Sequence, residues 1–188
     1  MRKPDQITID RLLLLHLLQS AEPFGLLNDV KLQQLTFLCE LQMFAKGFKG
    51  FHFEFFRYAY GAFSKDLDND LMSLRRKERV ENFSVSREAE DVIESFIEEA
   101  EKTKSETNAQ VLDILNAVVT NYAPQDTDKL SKSVEAVEIS SPAEPEFKLA
   151  IETVSFHTIL LVPSRIETKG EFTLPASVLA KLNAALGY

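Results

Sequence analysis

Three histidines and a run of aspartates are the side chains of this sequence that could bind a metal or act in catalysis. His16, His52 and His157 fall in separate predicted elements, and no two of them have the spacing of metal ligands. The three aspartates of residues 66–70 alternate along a predicted helix, which places them on different faces, unlike the acids of a calcium-binding loop. We predict surface or half-buried histidines, a solvated aspartate face, and neither a metal nor a cofactor.

Cys39 is the single cysteine of the chain, so an internal disulfide is excluded. This composition is typical of a reducing compartment. Cys39 lies beside Leu38 and Leu41 in an amphipathic pattern, which indicates a small buried hydrophobe and not a nucleophile.

No Gly-rich phosphate loop, nucleophile elbow or paired His–Glu motif occurs in the sequence. An enzyme would therefore need a site assembled from distant residues, for example His52 near Glu54 and Tyr60, in a pocket between helices. We predict that the chain is not an enzyme, and this assembled site is the alternative.

The 188 residues suffice for one substantial core, with 45% hydrophobic and 27% charged residues in the usual globular range. The apolar run at residues 12–15 is far shorter than the roughly 20 residues of a membrane span. We therefore expect a soluble, cytoplasmic protein without a membrane association.

The net charge of −8 is unevenly distributed. Residues 44–80 carry eight basic and five acidic side chains, whereas residues 81–106 carry nine acidic and three basic ones. A nucleic-acid-binding protein is expected to be basic, because phosphate neutralisation supplies much of its affinity. The two patches together form the candidate partner surface, whose central residues are Arg75, Arg76, Arg79, Glu90, Glu94 and Glu98.

Hydrophobic periodicity predicts a mainly helical chain. The predicted helices span about residues 7–20, 29–44, 64–77, 87–103, 107–121 and 129–137, with a last helix after Pro175. Alternation predicts an extended strand over 51–58, a short wing over 80–85 and a hairpin over 155–174 that turns at 169–170.

The expected fold class is therefore mainly α (α+β), a helical winged-helix-like core with a short wing and a C-terminal β-hairpin plus helix. Two proline residues among small and acidic ones make residues 140–146 a candidate linker. We predict a first domain over 1–140 and a C-terminal unit over 141–188 that packs on the same core.

The most informative segment runs from residue 31 to residue 80. Its structural motif residues are Lys31, Leu35, Tyr60, Gly61, Phe63, Ser64 and Leu67. We expect Ser64 to cap the third helix, and Tyr60 and Phe63 to pack under the Gly61 turn against Leu35 and Leu67.

Two parts of this segment carry a family resemblance. Lys31-Leu-Gln-Gln-Leu-Thr-Phe-Leu38 resembles the first conserved helix of the SocA-like, or Panacea, family and its YwgA-like branch, and residues 53–67 resemble the family's second motif. The similarity covers residues 28–85 and, more faintly, 105–140, with Ala62 where the family usually has proline. It implies a winged-helix-like module that acts as an antitoxin or adaptor, with no shared catalytic residues.

Our first hypothesis is a non-enzymatic protein-binding module, antitoxin-like or adaptor-like, in a toxin–antitoxin or mobile-element context, with a protein partner or a second copy of the chain. The alternative is a winged-helix regulator that binds DNA through helix 64–77. In that mode the contacts to phosphates would come from Arg57, Lys65, Arg75, Arg76 and Arg79.

Overall fold

The computed structural model of the chain describes residues 2–25, 27–141 and 143–188. It is mainly helical, with small pairs of strands, so the predicted α+β class is confirmed. The seven α-helices of the described residues are α1 (Pro4–Ala21), α2 (Asp29–Ala45), α3 (Lys65–Arg76), α4 (Arg87–Lys102), α5 (Glu106–Tyr122), α6 (Thr127–Glu135) and α7 (Ala176–Ala185).

The strands of the described residues are short and form four small sheets. They are β1 (Phe48–Lys49), β2 (Phe55–Tyr58), β3 (Gly61–Phe63), β4 (Val80–Glu81), β5 (Ser84–Val85), β6 (Glu138–Ser141), β7 (Glu144–Ala150), β8 (Ile159–Leu161) and β9 (Gly170–Glu171). The antiparallel sheet β3-β2-β8 is the largest in strand number, and β4-β5 forms the predicted wing. β6-β7 is an antiparallel hairpin, and β9 pairs with β1 in parallel.

Helix starts follow the local sequence closely. Asn28, Ser64, Ser86, Ser105 and Asp126 each accept a hydrogen bond from the backbone N–H three residues later. These bonds satisfy one of the free N–H groups at the first turn of α2 to α6. The predicted cap at Ser64 is therefore confirmed.

The core is organised around α1, which is buried on nearly all sides. Residues 12–15 are fully buried leucines, and the helix contacts α4, α5 and α7. A helix that is apolar around its whole circumference must be covered by neighbours. Leu179 and Leu182 of α7 belong to the same core cluster, so the last helix closes over α1. Within the described residues, no helix combines the length and the apolarity of a membrane span.

The C-terminal strands differ from the expected arrangement. Residues 155–174 were predicted to pair with each other, but β8 joins β2 and β9 joins β1. The β-hairpin lies earlier, over 138–150, and it includes much of the predicted linker at 140–146; the structure of Pro142 lies outside the described residues. The alternation of apolar and polar residues predicts a strand but does not specify which strand pairs with it. Here the paired strands lie about 100 residues or more apart in the chain.

The predicted strand at 51–58 is also shorter than expected. β2 begins only at Phe55, and residues 51–54 belong to no helix or strand. Phe51 and Phe53 stack with ring centroids 5.5 Å apart, and Phe55 meets Phe37 edge-on at 5.2 Å. These aromatic side chains are fully buried and belong to the core.

Candidate functional site

A buried ionic network links α1 to the segment that precedes β2. Asp10 of α1 is fully buried, and its Oδ2 accepts a hydrogen bond of 2.8 Å from Nη1 of Arg2. Its Oδ1 accepts the backbone N–H of His52 at 3.0 Å and lies 2.9 Å from Nδ1 of the same histidine. One carboxylate therefore fixes the N-terminal arginine and the backbone of a segment 42 residues away.

Asp70 extends this network into α3. Its Oδ2 accepts Nη1 of Arg2 at 2.6 Å, and its Oδ1 accepts Nε of Arg11 at 3.0 Å. Burial raises the pKa of Asp70, and the two arginines oppose that rise. The predicted solvated face is wrong for this aspartate, because it lies on the side of α3 that packs towards α1.

His52 joins the network to the C-terminal part of the chain. Its Nε2 lies 2.8 Å from Oε1 of Glu171, which also accepts a hydrogen bond from Gln6 at 3.1 Å. Burial lowers the pKa of His52, but the hydrogen bonds and charges of Asp10 and Glu171 outweigh burial and raise it above 6.5. Because the folded pKa exceeds the unfolded one, the charged imidazole stabilises the fold fully below about pH 6.5, and this contribution is lost as the pH rises through the folded pKa.

The prediction of surface or half-buried histidines is wrong for His52, which is buried. His16 is half-buried and His157 is exposed, as expected. The missed signal was Asp10, an acid between apolar residues of the first helix, since a buried carboxylate needs a cationic or N–H partner.

Glu40 of α2 is fully buried near this network. Neither carboxyl oxygen has a hydrogen-bond partner of ordinary geometry among the described residues. Burial and the charge of Asp10 raise the pKa of Glu40 well above its ordinary value, while Arg2, Lys49 and the backbone of Phe53 only partly oppose that rise. The folded protein therefore holds the proton on Glu40 more tightly than the unfolded chain does.

We expect Glu40→Gln to stabilise the protein increasingly as the pH rises above about 4.5, the ordinary pKa of a glutamate. Above this pH the unfolded chain releases the proton of this carboxyl group while the folded protein retains it, so the parent chain loses stability as the pH rises, whereas the amide has no proton to release. The gain should reach about 1–3 kcal/mol at mildly alkaline pH and vanish at acidic pH. Urea unfolding over a pH series measures it.

Glu94→Gln, at an exposed position of α4, is the matched control and should change the free energy of unfolding by less than about 0.5 kcal/mol at every pH. A destabilised Glu40→Gln variant at alkaline pH would mean that the carboxylate is needed in the fold.

A small cavity of about 40 Å³ opens beside the network. It is lined by Arg2, Gln6, Lys49, His52, Glu54, Pro163 and Ser164. The site weighed for an enzyme placed His52 with Glu54 and Tyr60, but Tyr60 does not line this cavity. The ring nitrogens of His52 are both within hydrogen-bond distance of carboxylates, and within the described ranges no group of three or more acidic, His or Cys side chains is arranged to hold a metal ion.

Two neighbouring glutamines of α2 hold strand β3 by its backbone. Gln33 donates to the carbonyl of Ser64 at 3.0 Å and accepts its N–H at 2.8 Å. Gln34 does the same with Ala62, at 3.0 and 3.1 Å. Each buried amide therefore makes the pair of backbone hydrogen bonds that a neighbouring strand would make. Sequence reasoning missed this role because glutamine is usually exposed.

The same contact explains the glycine of the Tyr60-Gly61 turn. Gly61 has a φ of +110°, and a Cβ placed on it would lie 2.4 Å from Oε1 of Gln34. The helix at 31–38 and the turn at 60–61 thus constrain each other. The packing of Tyr60 is different from our expectation.

Tyr60 was predicted to lie in the core under this turn, and that prediction is wrong, because 63% of its surface is exposed. Phe63 is only half-buried, with its ring 5.3 Å from the ring of Tyr58. Leu35 and Leu67 are buried without Tyr60 above them. An aromatic run does not reveal which of its members lie on the outer side of a two-strand turn.

The outer side of the β3-β2-β8 sheet forms an aromatic face, which we define as Phe56, Tyr58, Tyr60, Phe63 and Ile159. Phe56 is paired with Phe63 on one side and with Ile159 on the other, and directly paired residues share a face. Tyr58 and Ile159 are 46% and 50% exposed. Ile159 was not predicted as a site residue, since only the pairing of β8 with β2 brings it there.

Only some residues of the predicted partner surface are exposed and free to contact a partner. Nε and Nη2 of Arg75 donate to the carbonyl of Asn82 at 3.0 and 2.7 Å, and the guanidinium lies over the ring of Phe83. Arg75 therefore stabilises the wing. Arg76 is exposed and Arg79 is half-buried. Glu90, Glu94 and Glu98 are exposed at four-residue intervals and form one acidic stripe along α4.

Lys31 and Cys39, singled out in the sequence, are structural residues of α2. Lys31 is largely buried at the first turn, where burial lowers its pKa and Asp126 opposes that change. Burial raises the pKa of the Cys39 thiol far above its ordinary value, as expected for an inert buried cysteine.

Comparison of the chain with family models, curated proteins and solved structures found no match.

Proposed function

We propose that this chain is a non-enzymatic protein-binding module, antitoxin-like or adaptor-like, which engages its partner through the aromatic face. The observation that carries the proposal is the outer side of the β3-β2-β8 sheet, where five large apolar residues lie together and three of them are about half exposed or more. Exposed apolar patches of this kind are typical of interaction sites in soluble proteins.

The composition of the aromatic face also supports a protein partner. Tyrosine supplies a large rigid contact area together with a hydroxyl group, and it is enriched among the residues that dominate binding energy. The resemblance of residues 28–85 to the SocA-like, or Panacea, family points to the same class of function.

The DNA-binding alternative has less support in the geometry. Arg57 would have contacted phosphate, but it is buried and its Nη2 donates to Glu135 at 3.0 Å. Arg75 is engaged with the wing, as described above. Two of the cations of that hypothesis therefore have intramolecular partners, and the net charge of −8 opposes approach to a polyanion.

The test is co-expression and co-purification with the product of the adjacent gene, together with rescue of any growth arrest that this product causes. We expect Tyr60→Ala combined with Ile159→Ala to weaken partner binding by about 1,000-fold, because two exposed anchors that contribute about 2 kcal/mol each amount to about 4 kcal/mol. The melting temperature should change little, since both side chains are already half exposed or more.

The matched control is Phe24→Ala combined with Met72→Ala, two exposed apolar residues outside the aromatic face. It should leave partner binding within about twofold of the parent. Partner binding that survives loss of the aromatic face would contradict the proposal. A gel shift with the chain's own promoter at low salt would instead support the DNA-binding regulator.

A further inference from the structure

The imidazole of His52 lies between two carboxylates from distant parts of the chain. Nδ1 is 2.9 Å from Oδ1 of Asp10 in α1, and Nε2 is 2.8 Å from Oε1 of Glu171 in β9. An ionised carboxylate can only accept hydrogen bonds, so both contacts are hydrogen bonds only when both ring nitrogens carry a proton. A neutral imidazole has a single N–H group and must place a lone pair against one of the two carboxylates.

The surroundings of the two carboxylates determine which contact is lost with the proton. Asp10 is fully buried, and its Oδ1 also accepts the backbone N–H of His52 at 3.0 Å. The side chain of Glu171 is 36% exposed and can turn towards water. A neutral His52 therefore keeps its proton on Nδ1, beside the carboxylate that has no access to water, and the contact between Nε2 and Glu171 breaks.

The charged side chains around His52 and its two carboxylates come from several elements. Among the described residues they are Arg2, Asp10, Glu40, Lys49, Glu54, Asp70 and Glu171. Arg2 is paired with Asp10 and Asp70, whereas Lys49 and Glu54 line the adjacent cavity with opposite charges. The two carboxylates that contact the ring outweigh its burial and raise the pKa of His52, so the doubly protonated ring is fully formed below about pH 6.5 and is lost as the pH rises through the folded pKa.

The strand that Glu171 holds in place is short. β9 pairs with β1 over two residues only. The flanking N–H groups of Lys169 and Phe172 donate to the carbonyls of Gly47 and Lys49, both at 2.7 Å. The fully buried ring of Phe172 fixes the chain directly after β9. A short pairing of this kind opens locally at a lower free energy than the helical core does.

We propose that His52 and Glu171 form a proton-controlled latch on β9. The doubly protonated imidazole holds Glu171 and keeps β9 on β1, and loss of one proton frees Glu171 and lets β9 open while the helical core stays folded. β9 lies in the chain between β8, which completes the aromatic face, and α7, which covers α1. The latch rests on contacts within the chain and does not depend on the proposed function.

Amide hydrogen exchange of the full chain, followed by NMR over a pH series, tests the latch. The rates are corrected for the intrinsic pH dependence of exchange, and the imidazole titration of His52 is recorded on the same samples. We expect the protection of the Lys169 and Phe172 amides to fall about tenfold or more as His52 loses its proton, because hydrogen bonds to charged groups are the stronger ones. The amides of Ala62 and Ser64, which donate to side chains of α2, should keep their protection within about twofold.

Glu171→Gln separates the latch from a general effect of pH. The amide offers an acceptor to the charged ring of His52 and a donor to the neutral ring, so it fits both states. In this variant the protection of Lys169 and Phe172 should change less than about twofold over the same titration. The matched control, Glu167→Gln, makes the same change of charge at an exposed position close to β9 and should retain the tenfold fall of the parent chain.

Three results would each overturn the latch. The first is constant protection of Lys169 and Phe172 through the titration of His52. The second is a Glu171→Gln variant with the pH dependence of the parent chain. The third is an equal fall in protection at Ala62 and Ser64, which would mean that the proton stabilises the whole fold and not β9 in particular.

Discussion

Asp10→Asn is expected to destabilise the protein by about 3–5 kcal/mol, which corresponds to a fall in melting temperature of about 10 °C. The change keeps the shape of the side chain but removes its charge. Both oxygens of Asp10 accept hydrogen bonds, but the side chain of Asn has one oxygen and one NH2 group. This NH2 group must then face either Nη1 of Arg2 or the two donors of His52, so at least one buried donor lies against another donor. Removing one partner from a buried ionic network costs more than the network contributes as a whole.

In this variant the pKa of His52 is a second measurable quantity, and a change of packing alone would leave it unaltered. The hydrogen bond and charge of Asp10 are the largest causes that raise the pKa of His52 against its burial. In Asp10→Asn the pKa of His52 should fall, and an NMR titration of its imidazole measures the fall. The stability that depends on charged His52 would then be lost at a lower pH.

Asp113→Asn is the control, because this aspartate is exposed on α5. It should change the free energy of unfolding by less than about 0.5 kcal/mol and leave the titration of His52 unaltered. An Asp10→Asn variant with the parent's melting temperature and the parent's His52 titration would show that Arg2 and His52 find other partners.

The helices of this fold could be predicted from the sequence because their signals are local. A cap such as Ser64 or Ser86 acts on an N–H three residues away, and the apolar stripe of α4 repeats within a single element. The buried side of α4 consists of Ala89, Val92, Ile93, Phe96 and Ala100, which recur at helical spacing. Local physical rules therefore suffice to place the α-helices.

The polar network could not be predicted, because its bonds join distant parts of the chain. Gln6 and Glu171 are 165 residues apart, and His52 contacts acids 42 and 119 residues away. Each of these side chains, considered alone, is of a type usually found at the surface. The sequence could at most have indicated that Asp10 and Glu40 are anomalous acids within apolar helices.

The aromatic face was missed for a related reason. Tyr60 and Phe63 stand in an apolar run, and their hydrophobicity alone suggests burial. Which side of the sheet they occupy depends on β8, which arrives about 100 residues later and places Ile159 beside Phe56. A short strand can carry apolar residues on both of its faces. The pattern of apolar and polar residues then does not show which face lies against the core.

Gly61→Ala is expected to cost about 3–5 kcal/mol, more than a change of backbone preference alone would cost. The residue has a φ of +110°, where a side chain is strained, and the added Cβ would lie 2.4 Å from Oε1 of Gln34. Gln34 would have to move away and leave the buried N–H and C=O of Ala62 without their hydrogen bonds. Each unsatisfied buried group costs about 1–3 kcal/mol.

Gly25→Ala provides a matched control, because its φ of +100° is similar and no atom of the described residues lies within 4 Å of the added Cβ. It should cost only about 1 kcal/mol, from the backbone strain. In a background with Gln34→Ala, the contact with the added methyl is already absent, so Gly61→Ala should cost little more than Gly25→Ala does. Urea unfolding of the four members of this double-mutant cycle measures the coupling between helix α2 and the turn. Equal costs for Gly61→Ala in both backgrounds would mean that backbone strain, and not the contact with Gln34, requires glycine in the turn.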